Sequence, residues 1–211
     1  MRGTSAAAVV LLFVVACGSS AATATGPTVA SVAVKASDVP KGMIRCDVSS
    51  DMDSFLNKIK TTSPGTYQTT KGEWDSAKKN GAVAAQVTFF TDSAANCKAV
   101  GANTSGVSAA TYKLVVNFVF QFKDAATAAK GYTTQKIFGF SQAQLQAAGS
   151  AATVGAQTGL GLNSVTLSVS ISNQSFYIAV WQKKAFMVVL ALLNTDATLS
   201  QKVAVVENGR I

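Results

Sequence analysis

The stretch Tyr112-Lys-Leu-Val-Val-Asn-Phe-Val-Phe-Gln-Phe-Lys-Asp124 decides the fold. Tyr112, Leu114, Val116, Phe118, Phe120 and Phe122 alternate with a second set that includes Lys113, Asn117, Gln121 and Lys123. A period of two is the period of a β-strand, and it predicts a strand with one face buried. Directly after it, Asp124 precedes the alanine-rich Ala125-Ala-Thr-Ala-Ala-Lys130, a helix in which no residue breaks the backbone. An aspartate there accepts a free N–H of the first turn and caps the helix. The unit therefore reads strand, tight turn, helix.

The same unit occurs earlier in the chain. Val87 onward ends in Phe90-Thr-Asp92 and continues as Ser93-Ala-Ala-Asn-Cys-Lys98, so Ala82 to Thr91 is a second strand and Asp92 a second expected cap. Farther on, Val165, Leu167, Val169 and Ile171 alternate with polar residues, and Phe176 to Gln182 and Ala185 to Leu193 follow across short turns. This predicts a three-strand antiparallel meander. Asp196 caps a last helix with Leu199, Val203 and Val206 on one face, and Ser141 caps a short one reaching Ala148.

Upstream, Met52, Phe55, Leu56 and Ile59 form the stripe of a helix capped by Ser49 or Ser50 and ended by Ser63-Pro-Gly65. Glu73 to Lys79 is a short helix carrying Trp74, and Thr28 to Lys35 is a strand or linker. Together these elements give an α+β domain, an antiparallel sheet of five or six strands with packed helices. Gly149 to Asn163 stands out as a long glycine-rich loop, a length that usually carries function or motion.

The N-terminus has a different character. Arg2 precedes an apolar run from Ala6 to Ala16, too short for the roughly 20 residues that span a bilayer, and small Ala16 stands just before Cys17. Val14-Val-Ala-Cys17 resembles the lipobox of bacterial lipoproteins. That resemblance implies that residues 1–16 are a cleaved signal peptide and that Cys17 carries the lipid anchoring the chain to the outer face of a cell membrane. The charge-free Gly18 to Gly26 then reads as the start of a tether, placed over 17–42, with the folded domain over 43–211. Assigning Cys17 to lipid leaves Cys46 and Cys97 as an even pair in an oxidising compartment, expected to be bonded.

The chain carries a formal charge of +8, with 13% charged and 48% hydrophobic residues, a composition that folds. The positive charge is dispersed over lysines, and beyond Arg2 the only arginines are Arg45 and Arg210, which argues against nucleic acid. A diffuse positive field suits anionic envelope surfaces or simple solubility. The sequence contains no histidine, which removes Ser-His-Asp triads, Cys-His pairs and His-ligated metal sites. Ser76-Ala-Lys-Lys79 has the spacing of a serine and lysine one helical turn apart, without the companion motifs of that chemistry. Gly139-Phe-Ser-Gln-Ala143 lacks the last glycine of a nucleophile elbow, and Gly155-Ala-Gln-Thr-Gly-Leu-Gly161 meets no phosphate-binding pattern. Asp47, Asp51 and Asp53 lack the glycine and terminal glutamate of a calcium loop. No catalytic residue, cofactor or metal is expected.

From Thr111 onward, the order of strand, capped helix, glycine loop, Phe176-Tyr-Ile-Ala-Val-Trp-Gln182 hairpin and final helix resembles the extracytoplasmic sensor domains of bacterial serine/threonine kinases and related envelope lipoproteins. The resemblance implies a binding or sensing module, and a second disulfide of that family has no counterpart here. The expected function is thus a non-catalytic, membrane-tethered binding lipoprotein whose sheet and glycine loop form a groove for a small molecule, an envelope polymer or a protein partner. Trp74, Trp181, Lys183 and Lys184 are its candidate contacts. Two other readings are an envelope enzyme using carboxylate or lysine chemistry, for example with Asp92 and Asp124 converging in one cleft, and a structural partner of a membrane complex.

Overall fold

The alternation around Phe118 builds the centre of the molecule. A computed structural model describes residues 26–104, 110–137, 139–171 and 173–211. The expectations for the leader and for Cys17 fall outside the described residues. Ala82–Thr91 forms β3 and Leu114–Phe122 forms β4, paired antiparallel with Val87 opposite Phe118. The expected meander follows as β6 (Ser164–Ile171), β7 (Gln174–Lys183) and β8 (Phe186–Leu193). Strand β8 pairs back onto β4, with Val189 opposite Phe118. Short edge strands β1 (Ile44–Arg45), β2 (Ser50–Asp51) and β5 (Ala152–Val154) complete an eight-stranded sheet ordered β1-β3-β4-β8-β7-β6-β5, with β2 also on β3. Every pairing is antiparallel. The fold class is α+β as expected, but the sheet has eight strands rather than five or six. The three extra strands are two or three residues long, below the length at which periodicity leaves a signal.

Helices cover both faces of this sheet. On one lie α2 (Met52–Thr62), α3 (Pro64–Lys79), α4 (Ala94–Ala102) and α5 (Ala125–Thr134), with the short α6 (Gln142–Gln146) beside them. Met52, Phe55, Leu56 and Ile59 are all buried, as their spacing predicts, and Phe55 stacks on Phe89 with centroids 5.8 Å apart. The other face is covered by α1 (Val29–Val32), the segment after it, and α7 (Ala197–Gly209). Val115, Asn117 and Val119 are therefore buried too, so both faces of β4 are interior and not one. Among the described residues no helix is long and apolar enough to cross a membrane.

Several local expectations change once packing is visible. Part of the segment expected as tether belongs to the domain: Val32, Ala33, Val34 and Val39 are buried in the second core. Arg210 holds that segment from the far end of the chain, donating to the carbonyls of Val32 and Ala33 and pairing with Asp38 at 2.8 Å. Helix α2 is capped by Asp51, which accepts from the Ser54 N–H at 2.9 Å, while the Ser49 hydroxyl accepts from Phe89. Ser93 rather than Asp92 caps α4, whereas Asp124 and Asp196 cap α5 and α7 as read. The buried stripe of α7 is Ser200, Val203, Ala204 and Glu207, and Val206 faces outward. Cys46, just after β1, is bonded to Cys97 on α4. That link closes a loop with a sequence separation of 51 and fastens α4 to the edge of the sheet.

Candidate functional site

Ser63-Pro-Gly65 ends α2, and it also begins α3 without an intervening loop. Proline is suited to the first helical position, where its missing N–H has no partner to lose. Helix α3 is thus 16 residues long, and its first half, Pro64-Gly-Thr-Tyr-Gln-Thr-Thr-Lys-Gly72, contributes little apolar bulk. Opposite it, Val116, Ala191 and Ile178 form one row across β4, β8 and β7. The smallest of the three sits in the middle of the row. A helix face of threonine and glycine over a sheet row centred on alanine leaves the space between them unfilled.

The result is a cavity of about 730 Å³. Its floor is Val116, Phe176, Ile178, Ala191 and Leu193. Its walls come from the α2–α3 junction and first half of α3, from Asn103 and Thr104 after α4, and from Gly139 and Phe140 before α6. Thr62, Pro64, Gly65, Thr69 and Gly139 are exposed, so the mouth opens between α3 and the Gly139 turn. That turn is fixed by reciprocal backbone hydrogen bonds between Ile137 and Phe140, and Gly139 sits at φ +85°. The Gly139 N–H reaches the Glu73 carboxylate on α3 at 3.5 Å.

The polar groups of the wall divide into two kinds. Ser63 is engaged: its hydroxyl donates to the Ala102 carbonyl at 3.4 Å and accepts from the Thr104 N–H at 3.1 Å. Thr70 and Thr104 are buried, and neither side-chain hydroxyl has a hydrogen-bond partner among the described residues. No aspartate, glutamate, lysine or arginine lies among the described residues of the lining. The cavity thus joins an apolar floor to two unsatisfied hydroxyls, with no charge and no titrating group to act as acid or base. Among the described residues no cluster of three or more cysteine, aspartate or glutamate side chains is placed to hold a metal.

None of the four candidate contacts lines this cavity. Trp74 is buried on α3 farther along, donating its indole N–H to Asp53 at 3.0 Å and packing on Phe120. Trp181 points to the opposite face of the sheet and is wholly buried there. Strand β7 runs past it to Lys183, which donates to the Asn208 carbonyl of α7 at 2.8 Å. Lys184 is the turn residue, at φ +49°. The glycine-rich segment is likewise no part of the cavity: it holds β5 and two 3₁₀ turns, and Thr158 at its centre is buried against Ser164. Asp92 and Asp124 do not converge. Thr91 pairs with Leu114 while Ala82 pairs with Phe122, so the two acids flank opposite ends of the β3–β4 ladder, roughly 27 Å apart at about 3.4 Å per residue. Asp92 instead accepts from Asn96 and the Lys113 N–H.

Among the described residues the cavity is built without charged side chains, so its signal in the sequence is weak. A threonine-rich helix start following Ser-Pro was visible, but its meaning depended on Ala191 lying beneath it. No family model matches the chain, and no curated protein does. Among solved structures, the chain is similar to the extracellular domain of PknH from Mycobacterium tuberculosis, with a TM-score of 0.39 and 10% identity over 87% of this chain and 95% of that one.

Proposed function

We propose that the protein is a non-catalytic binding module that works outside the cytoplasmic membrane, anchored there through a lipid on Cys17, and that its ligand seat is the cavity between α3 and the β4-β8-β7 floor. The observation that carries this reading is the cavity itself. Its volume of about 730 Å³ falls within the span of small-molecule sites, which are mostly apolar with a few placed polar groups. The Cys46–Cys97 bond supports an oxidising location, where such links persist. The absence of titratable groups from the described lining supports binding over chemistry.

The test is a fluorescence titration with N-phenyl-1-naphthylamine, an uncharged probe that brightens in apolar surroundings, on the full chain carrying Cys17→Ser and purified without detergent. Saturable binding is expected, together with a loss of affinity of about tenfold or more in Ala191→Phe, which fills the floor, and in Thr66→Trp, which narrows the entrance. Absence of saturation, or unchanged affinity in both variants while they remain folded by circular dichroism, overturns the reading.

A further inference from the structure

We infer that the cavity selects an uncharged, largely apolar ligand bearing a hydroxyl or carbonyl group that hydrogen-bonds to Thr70 and Thr104. This rests on the binding role proposed above and specifies its ligand class. The argument starts from two orphaned groups. A buried hydroxyl without a partner costs about 1–3 kcal/mol, and folded proteins seldom leave one unmet. Among the described residues two are left, Thr70 Oγ1 and Thr104 Oγ1, on different elements that line the same cavity. Away from the cavity, buried hydroxyls do find partners: Thr158 with Ser164 and Thr195 with Ser200. Thr70 and Thr104 differ from those in having the open volume beside them. A threonine hydroxyl both donates and accepts, so the complementary group is a neutral hydroxyl, ester or amide.

The remaining lining sets the rest of the ligand. Val116, Phe176, Ile178, Ala191 and Leu193 offer only carbon, which suits an alkyl, isoprenoid or other apolar body. With no cation or anion in the described lining, a carboxylate or phosphate would enter without compensation, and burying an unpaired charge is far costlier than burying a neutral polar group. Exclusion of charge is therefore as much a property of the site as acceptance of carbon.

The experiment measures displacement of N-phenyl-1-naphthylamine by 1-decanol and by decanoate at pH 7.5, on the same Cys17→Ser full chain and on its Thr70→Val and Thr104→Val variants. Valine keeps the shape of threonine and removes the hydroxyl. The alcohol is expected to bind about 100-fold more tightly than the carboxylate. Each valine substitution is expected to weaken 1-decanol by about three- to tenfold and to leave the affinity of the probe unchanged. Thermal denaturation supplies a readout that a merely structural hydroxyl would move the other way. Removing an unsatisfied buried hydroxyl raises the stability of the unliganded protein, whereas removing a structural one lowers it. Equal affinity for alcohol and carboxylate, or valine variants that bind 1-decanol as the parent does, overturns the ligand class while leaving the cavity a binding site. Failure of every probe to bind overturns the binding role itself.

Discussion

The two faces of the sheet are made by the same strands, residue by alternate residue, yet one is filled but for a small pocket at its edge and the other is not. Beneath α7 and the segment from Val29 to Met43, Val115, Val119, Trp181, Leu190 and Leu192 pack together, and the pocket beside Ala33, Val34 and Phe90 holds about 360 Å³. Beneath α3, the row Val116, Ala191, Ile178 meets threonines and glycine and leaves about 730 Å³. The polar groups differ in what lies beside them. On the filled face, Asn117 is wholly buried and engaged on both sides, accepting from the Val34 N–H at 3.1 Å and donating to Glu207 at 2.9 Å. On the open face, Thr70 and Thr104 have no partner within the described chain. Trp181 Nε1 and Glu207 Oε2 on the α7 face also lack a partner among the described residues, but neither lines the large cavity; Thr70 and Thr104 do, and a polar group left unanswered beside a cavity is available to something else.

The sharpest way to break this contrast is to remove the answered group. Asn117→Ala leaves the Val34 N–H without an acceptor and the Glu207 carboxyl without its donor, both in the buried layer beneath α7. The expected loss is about 3–5 kcal/mol in denaturant unfolding, among the largest single-residue effects available to the fold. A loss below about 1 kcal/mol would mean that water already enters this face, and the distinction between the faces would fail.

A paired substitution then measures the difference in filling directly. Ala179 and Ala191 are neighbours across β7 and β8, in adjacent registered pairs, and their side chains point to opposite faces. Ala179→Leu inserts three carbons into a packed layer and is expected to destabilise by about 1–3 kcal/mol. Ala191→Leu extends into the cavity and is expected to be neutral or stabilising by up to about 1 kcal/mol, since it adds apolar contact without displacing a neighbour. The quantity that matters is the difference between the two midpoints at equal denaturant slope. Equal costs would show that the floor beneath α3 is as tightly packed as the layer beneath α7.

How much of this contrast the sequence displays depends on which contacts create it. The strands β3, β4 and β6 to β8, the stripe of α2 and the caps at Asp124 and Asp196 are local patterns, and each is legible residue by residue. The second buried face of β4 is not, because Asn117 reads as a solvent-facing polar residue until Glu207, ninety positions away, is placed against it. The early segment from Val29 to Val34 was equally opaque. Its small residues read as tether, and only Arg210 clasping their carbonyls from the other terminus makes them part of the domain. The candidate site fared worst for the same reason. Trp181 and Lys183 are the charged and aromatic residues that stand out, and both are engaged in packing or hydrogen bonding, whereas the cavity sets hydroxylated and small residues against an apolar floor, drawn from six segments whose meeting no local pattern records.

The last contrast concerns pH. Glu207 lies wholly buried on the filled face, and desolvation, only partly offset by the hydrogen bond from Asn117 and by Arg210, pushes its carboxyl up from 4.5 to about 8. Burial alone would raise Asp38 also, but hydrogen bonds from Arg210 and the Lys35 N–H outweigh it and hold that carboxyl below its ordinary value, outside the same window. Between pH 4.5 and about 8 the folded protein therefore keeps a proton on Glu207 that the unfolded chain has released. Unfolding releases that proton, so stability is greatest on the acidic side and falls as pH rises through the window, by at most about 1.4 kcal/mol per pH unit for one proton. Glu207→Gln keeps an oxygen for Asn117 and cannot ionise, and it is expected to flatten the profile and to exceed the parent in stability at pH 8. Cavity substitutions such as Thr70→Val should leave the slope untouched, because no titrating group lies in the described lining. An unchanged slope in Glu207→Gln would place the pH dependence elsewhere and would remove the claim that the filled face stores an uncharged carboxyl while the open face excludes charge.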